Sequence, residues 1–275
     1  MSKLLSKLFI ATLPLLLAGV AQAQSIDAAI DLFDKAKYNE AANALRQISP
    51  ATSKSKAFLC QLYADSYISS NVQESTKVCE EAVADKDPIA VYLYALAYLN
   101  GNNNLNINQN EKKGVGFMAS AVIESDFAPA YDYFCSRLLA EQNLDEAINF
   151  CKVAASKGMR RALYTMGVLI SEGTGVIQDF QRAKKMMLAS AALNYPAAYV
   201  YLGSLAKEGK NGEPKDLKQA YAWFSLATAA DSNNHRAMAE RDSINLSSQD
   251  MIAAQKIATE WKYHTPKLVD YHKGR

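Results

Sequence analysis

Four cysteines, three histidines, fifteen tyrosines and two Ser-x-x-Lys pairs are the residues of this 275-residue chain that could do chemistry. Ser53 with Lys56, and Ser204 with Lys207, each place a hydroxyl one helical turn from an amine, the arrangement a lysine-activated serine nucleophile needs. Neither pair has the companion elements of penicillin-recognising enzymes, since no KTG and no SDN occurs, and there is no GxSxG elbow. His235, His264 and His272 all stand near the C-terminal end in no metal-ligand spacing, so they read as solvated surface side chains. No cofactor motif and no metal site is expected. Cys60, Cys79, Cys135 and Cys151 are even in number and contain no CxxC, so they read as structural disulfides or as four buried thiols, not as redox centres.

The elements that must hold these residues repeat along the chain. "RRALYTMGVLISEGTG" from Arg160 and "PAAYVYLGSLAKEG" from Pro196 carry Ala, Gly and Gly at matching offsets: Ala162, Gly167, Gly173 and Ala198, Gly203, Gly209. Ala90, Ala95 and Gly101 follow the same spelling upstream, and Ala130 with Cys135 keeps its first two positions. Small residues at these offsets let a neighbouring helix approach closely. A second helix follows each first one and carries a bulky pair: Val78-Cys79, Phe117-Met118, Phe150-Cys151, Met186-Met187 and Trp223-Phe224. Ahead of these second helices stand Asn71, Asn110, Asn143, Asp179 and Asp216, residue types whose side-chain oxygen caps a helix N-terminus. Glu74, Glu146 and Gln219 are placed to complete capping boxes. The glycines of "EGTGVIQD" and "EGKNGEPKD" supply the turn between helices and lack the GK[ST] ending of a phosphate loop. Period-two alternation is nowhere sustained, so the expected fold is all-α: a right-handed solenoid of helix-turn-helix units, each burying its apolar face only by stacking on its neighbours.

"ALYTMGVLISEGTGVIQDFQRAKKMMLASAALNYPAA" resembles a Sel-one-like repeat, a relative of the tetratricopeptide repeat, although Met186-Met187 replaces the usual aromatic pair and Ile170 stands where tyrosine is usual. The resemblance implies a partner-binding scaffold whose motif residues are structural. It also raises an alternative, a periplasmic serine hydrolase or penicillin-binding activity of the kind linked with cysteine-rich members. The absence of the companion motifs argues for a non-catalytic reading.

The expected organisation is a signal peptide over 1–23, tetratricopeptide-like helix pairs over 24–85, Sel-one-like repeats over 86–246, a capping helix over 247–264 and a flexible basic tail over 265–275. The signal reading rests on Lys3 and Lys7 before an apolar run ending at Val20, then Ala21-Gln22-Ala23 as a small-residue cleavage site. Its removal takes away two lysines and leaves 28 basic against 28 acidic residues, which gives no footprint for nucleic acid or anionic lipid. No later apolar run is long enough to span a bilayer, so the mature chain is expected in the periplasm or secreted, binding a protein or cell-envelope component. Met251, Ala254, Ile257, Ala258 and Trp261 form one helical stripe suited to closing the stack.

The repeat register bears on the cysteines. Cys135 and Cys151 lie eight residues either side of Asn143, level across one helix hairpin; Cys60 and Cys79 flank Asn71 less evenly and need a longer turn. Pairing Cys135 with Cys151 and Cys60 with Cys79 is therefore favoured over the other connectivities. Tyr92, Tyr133, Tyr164 and Tyr201 lie two or three residues after the small-residue anchors of the first helices. They are candidates for a ligand-binding row on the concave face, with inter-helix packing the favoured reading.

Overall fold

A computed structural model describes residues 25–69 and 71–273; the expected signal peptide and the last two residues of the tail lie outside the described residues. The described residues form seven consecutive helix pairs. They are α1 (Ile26–Asp34) with α2 (Tyr38–Arg46), α3 (Ser53–Ala64) with α4 (Val72–Ala84), and α5 (Pro88–Asn100) with α6 (Glu111–Ile123). Then follow α7 (Ala128–Ala140) with α8 (Leu144–Ser156), α9 (Arg160–Glu172) with α10 (Phe180–Ala192), and α11 (Pro196–Glu208) with α12 (Leu217–Ala230). A shorter pair, α13 (His235–Asp242) and α14 (Ser248–Glu260), ends the stack. No strand occurs among the described residues.

Local chemistry starts and stops these helices. Asn71, Asn110, Asp179 and Asp216 each accept from a backbone N–H of the following first turn, satisfying donors that the helix itself leaves unpaired. Asn143 departs from the expectation: its amide donates to Glu146 (3.0 Å) and makes no cap bond. The expected capping boxes do not form either. Glu74 instead bonds Tyr63 and Arg46, tying α4 to α3 and α2. Gly173 and Gly209 end α9 and α11 with φ of 73° and 68°, a left-handed backbone that a side chain would strain.

One packing rule runs through the stack. The anchors Ala90, Ala130, Ala162 and Ala198 are fully buried, and so is the second member of every bulky pair: Cys79, Met118, Cys151, Met187 and Phe224. A Cβ on Gly203 would stand 2.8 Å from Phe224, and one on Gly167 would stand 2.8 Å from Met187. The glycines are therefore holes that the large side chains fill. In two units the same slots hold cysteines. Cys135 and Cys151 bring their Cα atoms to 4.7 Å and Cys60 and Cys79 to 4.9 Å, both pairs at disulfide distance. First helices of successive units touch directly in two places, α3 with α5 and α7 with α9.

At the end of the stack α14 packs against α12. Ala254 is buried, Met251, Ile257 and Ala258 are half-buried, and Trp261 sets its ring edge-on to Trp223 at 4.8 Å.

The segment after it differs from expectation. Residues 262–273 do not hang free but run back along the turns between units and end in a 3₁₀ helix, Leu268–Lys273, packed on α1 and α3. The physical reason is in its composition. Leu268, Tyr271 and the His272 ring are apolar enough to gain by burial, and exposed turns offer a surface to bury them against.

Candidate functional site

The four tyrosines do not form one row. Tyr92 and Tyr164 stand two residues after their anchors, Tyr133 and Tyr201 three, and one residue rotates a side chain by about 100° on a helix. Tyr164 and Tyr201 do meet. With Tyr195, Val200, Ser204 and Arg236 they line an open cleft of 520 Å³ between α9, α11 and the start of α13. The Tyr201 hydroxyl is fixed at 2.5 Å from the Ser171 hydroxyl, and the Tyr164 and Tyr195 rings tilt against each other at 5.5 Å. Tyr92 faces a separate groove of 340 Å³ between α5 and the returning segment. Tyr133 lines neither; its hydroxyl accepts from Arg137 and its ring packs edge-on against Phe134.

Between the cleft and the groove lies a charged pair that the spelling of the repeat conceals. Asp132 occupies the slot that tyrosine fills in α5 and α9. Arg161, on α9, donates to the Asp132 carboxylate at 2.9 to 3.0 Å and to its backbone carbonyl at 3.0 Å. The other oxygen, Oδ1, is buried without a hydrogen-bond partner. Burial pushes the Asp132 carboxyl up from the usual carboxylate range, with Arg161 opposing. Its signal in the sequence was an acid in a slot that holds tyrosine in α5 and α9 and valine in α11.

Neither Ser-x-x-Lys pair is assembled as a nucleophile and base. The Ser204 hydroxyl donates to the Val200 carbonyl, while Lys207 is held by Glu240 (2.7 Å) and Ser243 (2.9 Å). Ser53 donates to Asp87, and Lys56 pairs with Asp85. A cationic lysine bound to a carboxylate cannot take the serine proton.

Two histidines, His235 and His264, are exposed as expected. His272 corrects the expectation, being 3% exposed. Its ring stacks on Phe58 at 4.4 Å, and Nε2 lies 2.9 Å from Gln61 Oε1, across 211 residues of sequence. Glutamine Oε1 can only accept, so Nε2 carries the proton and Nδ1, which is buried without a partner, is a bare acceptor. Burial drives the pKa of this ring down to about 3. Among the described residues no three His, Cys, Asp or Glu side chains converge as metal ligands.

The packing slots, the turn glycines and the small-residue first helices recur with one spelling, and that spelling matches a known repeat. The Sel1 repeat profile fits residues 88–122, 133–159, 160–195 and 196–232, which are the units from α5 to α12. The chain is a Sel1-like repeat protein. A Sel1 repeat protein from Oxalobacter formigenes superposes with a TM-score of 0.66 at 20% identity, covering 86% of this chain and 99% of that one. A protective antigen of uropathogenic Escherichia coli strains, c5321, displays the same repeat fold. It superposes with a TM-score of 0.68 at 20% identity over 92% of this chain, which spans only 57% of that antigen. At such identities the likeness carries the fold alone. No curated protein matches the sequence. Sel1 repeats generally mediate protein–protein interaction, and no described helix is long and apolar enough to cross a membrane.

Proposed function

We propose that this Sel1-like chain is an exported, non-catalytic scaffold that binds a protein or cell-envelope partner through its inner face. The observation that carries the reading is the open cleft where Tyr164, Tyr201 and Arg236 converge on first helices of adjacent units. Tyrosine and arginine are enriched among the side chains that dominate binding energy, and here first helices of three successive units, α9, α11 and α13, bring them to one cleft before any partner arrives. Export is supported by the N-terminal sequence and by two cysteine pairs at disulfide distance, which persist in an oxidising compartment. The engaged state of Ser204 and Lys207 supports the absence of serine chemistry.

The test is site-specific. A photo-cross-linking amino acid placed at Tyr201 in cells should give one discrete adduct, lost when Tyr164→Ala and Arg236→Ala are combined. Adducts that are unchanged by those substitutions would sink the cleft assignment. Covalent labelling by a fluorescent penicillin that disappears in Ser204→Ala would overturn the non-catalytic reading.

A further inference from the structure

The segment that runs back from the terminal cap makes contacts of an unusual kind for a chain end. Its backbone bonds the stack once, His264 N–H to the Ala192 carbonyl (2.8 Å), and Asn194 donates to the Thr265 hydroxyl (2.8 Å). Pro266 and Leu268 then lie over Met159 and Gly158 in the turn between α8 and α9, facing Tyr92 and Leu96 of α5. Tyr271 sets its ring edge-on to Phe127 at 5.1 Å, and His272 reaches α3. In order, the segment crosses the α10–α11, α8–α9 and α6–α7 turns, opposite to the direction in which the units were laid down. This is how an extended peptide binds a repeat array: one short stretch per unit, with side chains entering between units.

The fit is incomplete. A space of 340 Å³ stays open beneath Pro266, Leu268 and Tyr271. The Tyr271 hydroxyl has only the Met159 sulfur at 3.2 Å, a weak acceptor, and His272 Nδ1 has no partner at all. The surface is apolar and aromatic enough to hold a peptide, and its present occupant leaves volume unfilled and polar atoms unpaired. Such an occupant is displaceable.

We propose that residues 262–273 form an intramolecular strap over a peptide-docking track built from the inter-unit turns, and that the track's external ligand is an extended polypeptide segment presenting proline or leucine and, a few residues on, an aromatic pair. The partner docks by displacing the strap, so the chain controls access to its own track. This deepens the scaffold reading by naming the partner's chemistry, and it rests on that reading only for the existence of a partner. The Tyr164–Tyr201 cleft is a separate stretch of the inner face and remains open in the strapped state.

The probe is a fluorescein-labelled peptide of this chain's own residues 263–273. It is titrated, by fluorescence anisotropy, against the chain from residue 24 to 275, the same chain ending at Lys262, and the full-length double variant Tyr271→Ala with His272→Ala. The expected result is saturable binding to both strap-released forms at least tenfold tighter than to the parent. In the released forms, Leu96→Glu should abolish it. Equal binding to all three, or no binding to either released form while circular dichroism shows intact helices, would overturn the strap. Because the double variant keeps every residue of the stack, it decides the question if the shortened chain fails to fold. A Tyr201 cross-link unchanged by Tyr164→Ala with Arg236→Ala, alongside the expected peptide binding, would instead sink the cleft reading and leave the strap standing.

Discussion

At the scale of single residues, the two glycines that admit large side chains differ in what they face. A Cβ on Gly203 would meet three ring carbons of Phe224 at 2.8 to 3.0 Å, and the ring is fully buried and rigid. A Cβ on Gly167 would meet the terminal methyl of Met187 at 2.8 Å, the far end of a flexible thioether. Replacing helical glycine by alanine gains up to about 1 kcal/mol of helix propensity, and overpacking costs ~1–3 kcal/mol. Gly167→Ala should therefore melt in urea within about 1 kcal/mol of the parent, while Gly203→Ala loses ~1–2 kcal/mol; equal effects would contradict the hole-filling account. His272 gives a pH prediction with a definite sign. Its docked pKa, about 3, lies below the ordinary 6.5, and Lys54 adds to the lowering that burial begins. Docking that requires the neutral ring is fully favoured above the ordinary pKa and weakens as pH falls from there toward the docked one. Between pH 7.5 and 5 the strap should become about 30-fold easier to release. The rise should appear at pH 5 as tighter binding of a 263–273 peptide synthesised with asparagine in place of His272, whose own docking does not titrate at that position, and it must vanish when the chain carries His272→Asn.

At the scale of helix pairs, the cysteines are variants of a packing device. Gly167 faces Met187, Gly203 faces Phe224, and Cys135 faces Cys151 in the corresponding slot. The bridge closes a short hairpin and should contribute about 3 kcal/mol. Transplanting the neighbour's solution tests the equivalence. Cys135→Gly with Cys151→Met should lose the cross-link's ~2–4 kcal/mol in urea unfolding yet remain cooperative. Cys135→Ser with Cys151→Ser should lose ~1–3 kcal/mol more, because it leaves two hydroxyls in an apolar slot. The opposite ranking would show that the slots are not interchangeable. This scale is also where the sequence was most legible. The anchors, the bulky pairs and four of the five caps each recur at fixed offsets, and a recurring offset reports a recurring contact. Asn143 escaped because the residue type that caps also bonds side chains, and Glu146 stood within its reach. The Tyr164–Tyr201 cleft was half legible. Both residues were named from their helix position, but Arg236 reaches the cleft from α13, beyond the matched repeats, Tyr195 reaches it from the turn before α11, and the Asp132–Arg161 pair beside it is defined only once α7 and α9 are packed.

At the scale of the whole molecule, a stack held by nearest neighbours should loosen from its ends inward, each end without regard to the other. The strap changes this, and nothing periodic announced it. A lone Tyr271-His272 after Pro266 looks like a loose end because its burial partners are Phe127 and Phe58, far away in sequence and defined only once the units are stacked. Its consequence is coupling between the two ends. Ending the chain at Asn245 removes α14 and the strap together, uncovering Trp223 at one end and the Phe58–Gln61 face of α3 at the other. Ending it at Lys262 leaves Trp261 seated on Trp223 and uncovers the strap's track alone, from the α10–α11 turn back to α1 and α3. Amide exchange followed by mass spectrometry should therefore separate the two. The shorter chain should exchange faster both in α12 and in α3, and the longer one in α3 but not in α12, even though its missing residues begin about 200 positions downstream of α3. A stack without a strap would show faster exchange near the cut in both cases and none in α3. The slow phase of α3 in the intact chain thus reports strap occupancy directly, and adding the 263–273 peptide to the chain ending at Lys262 should restore it.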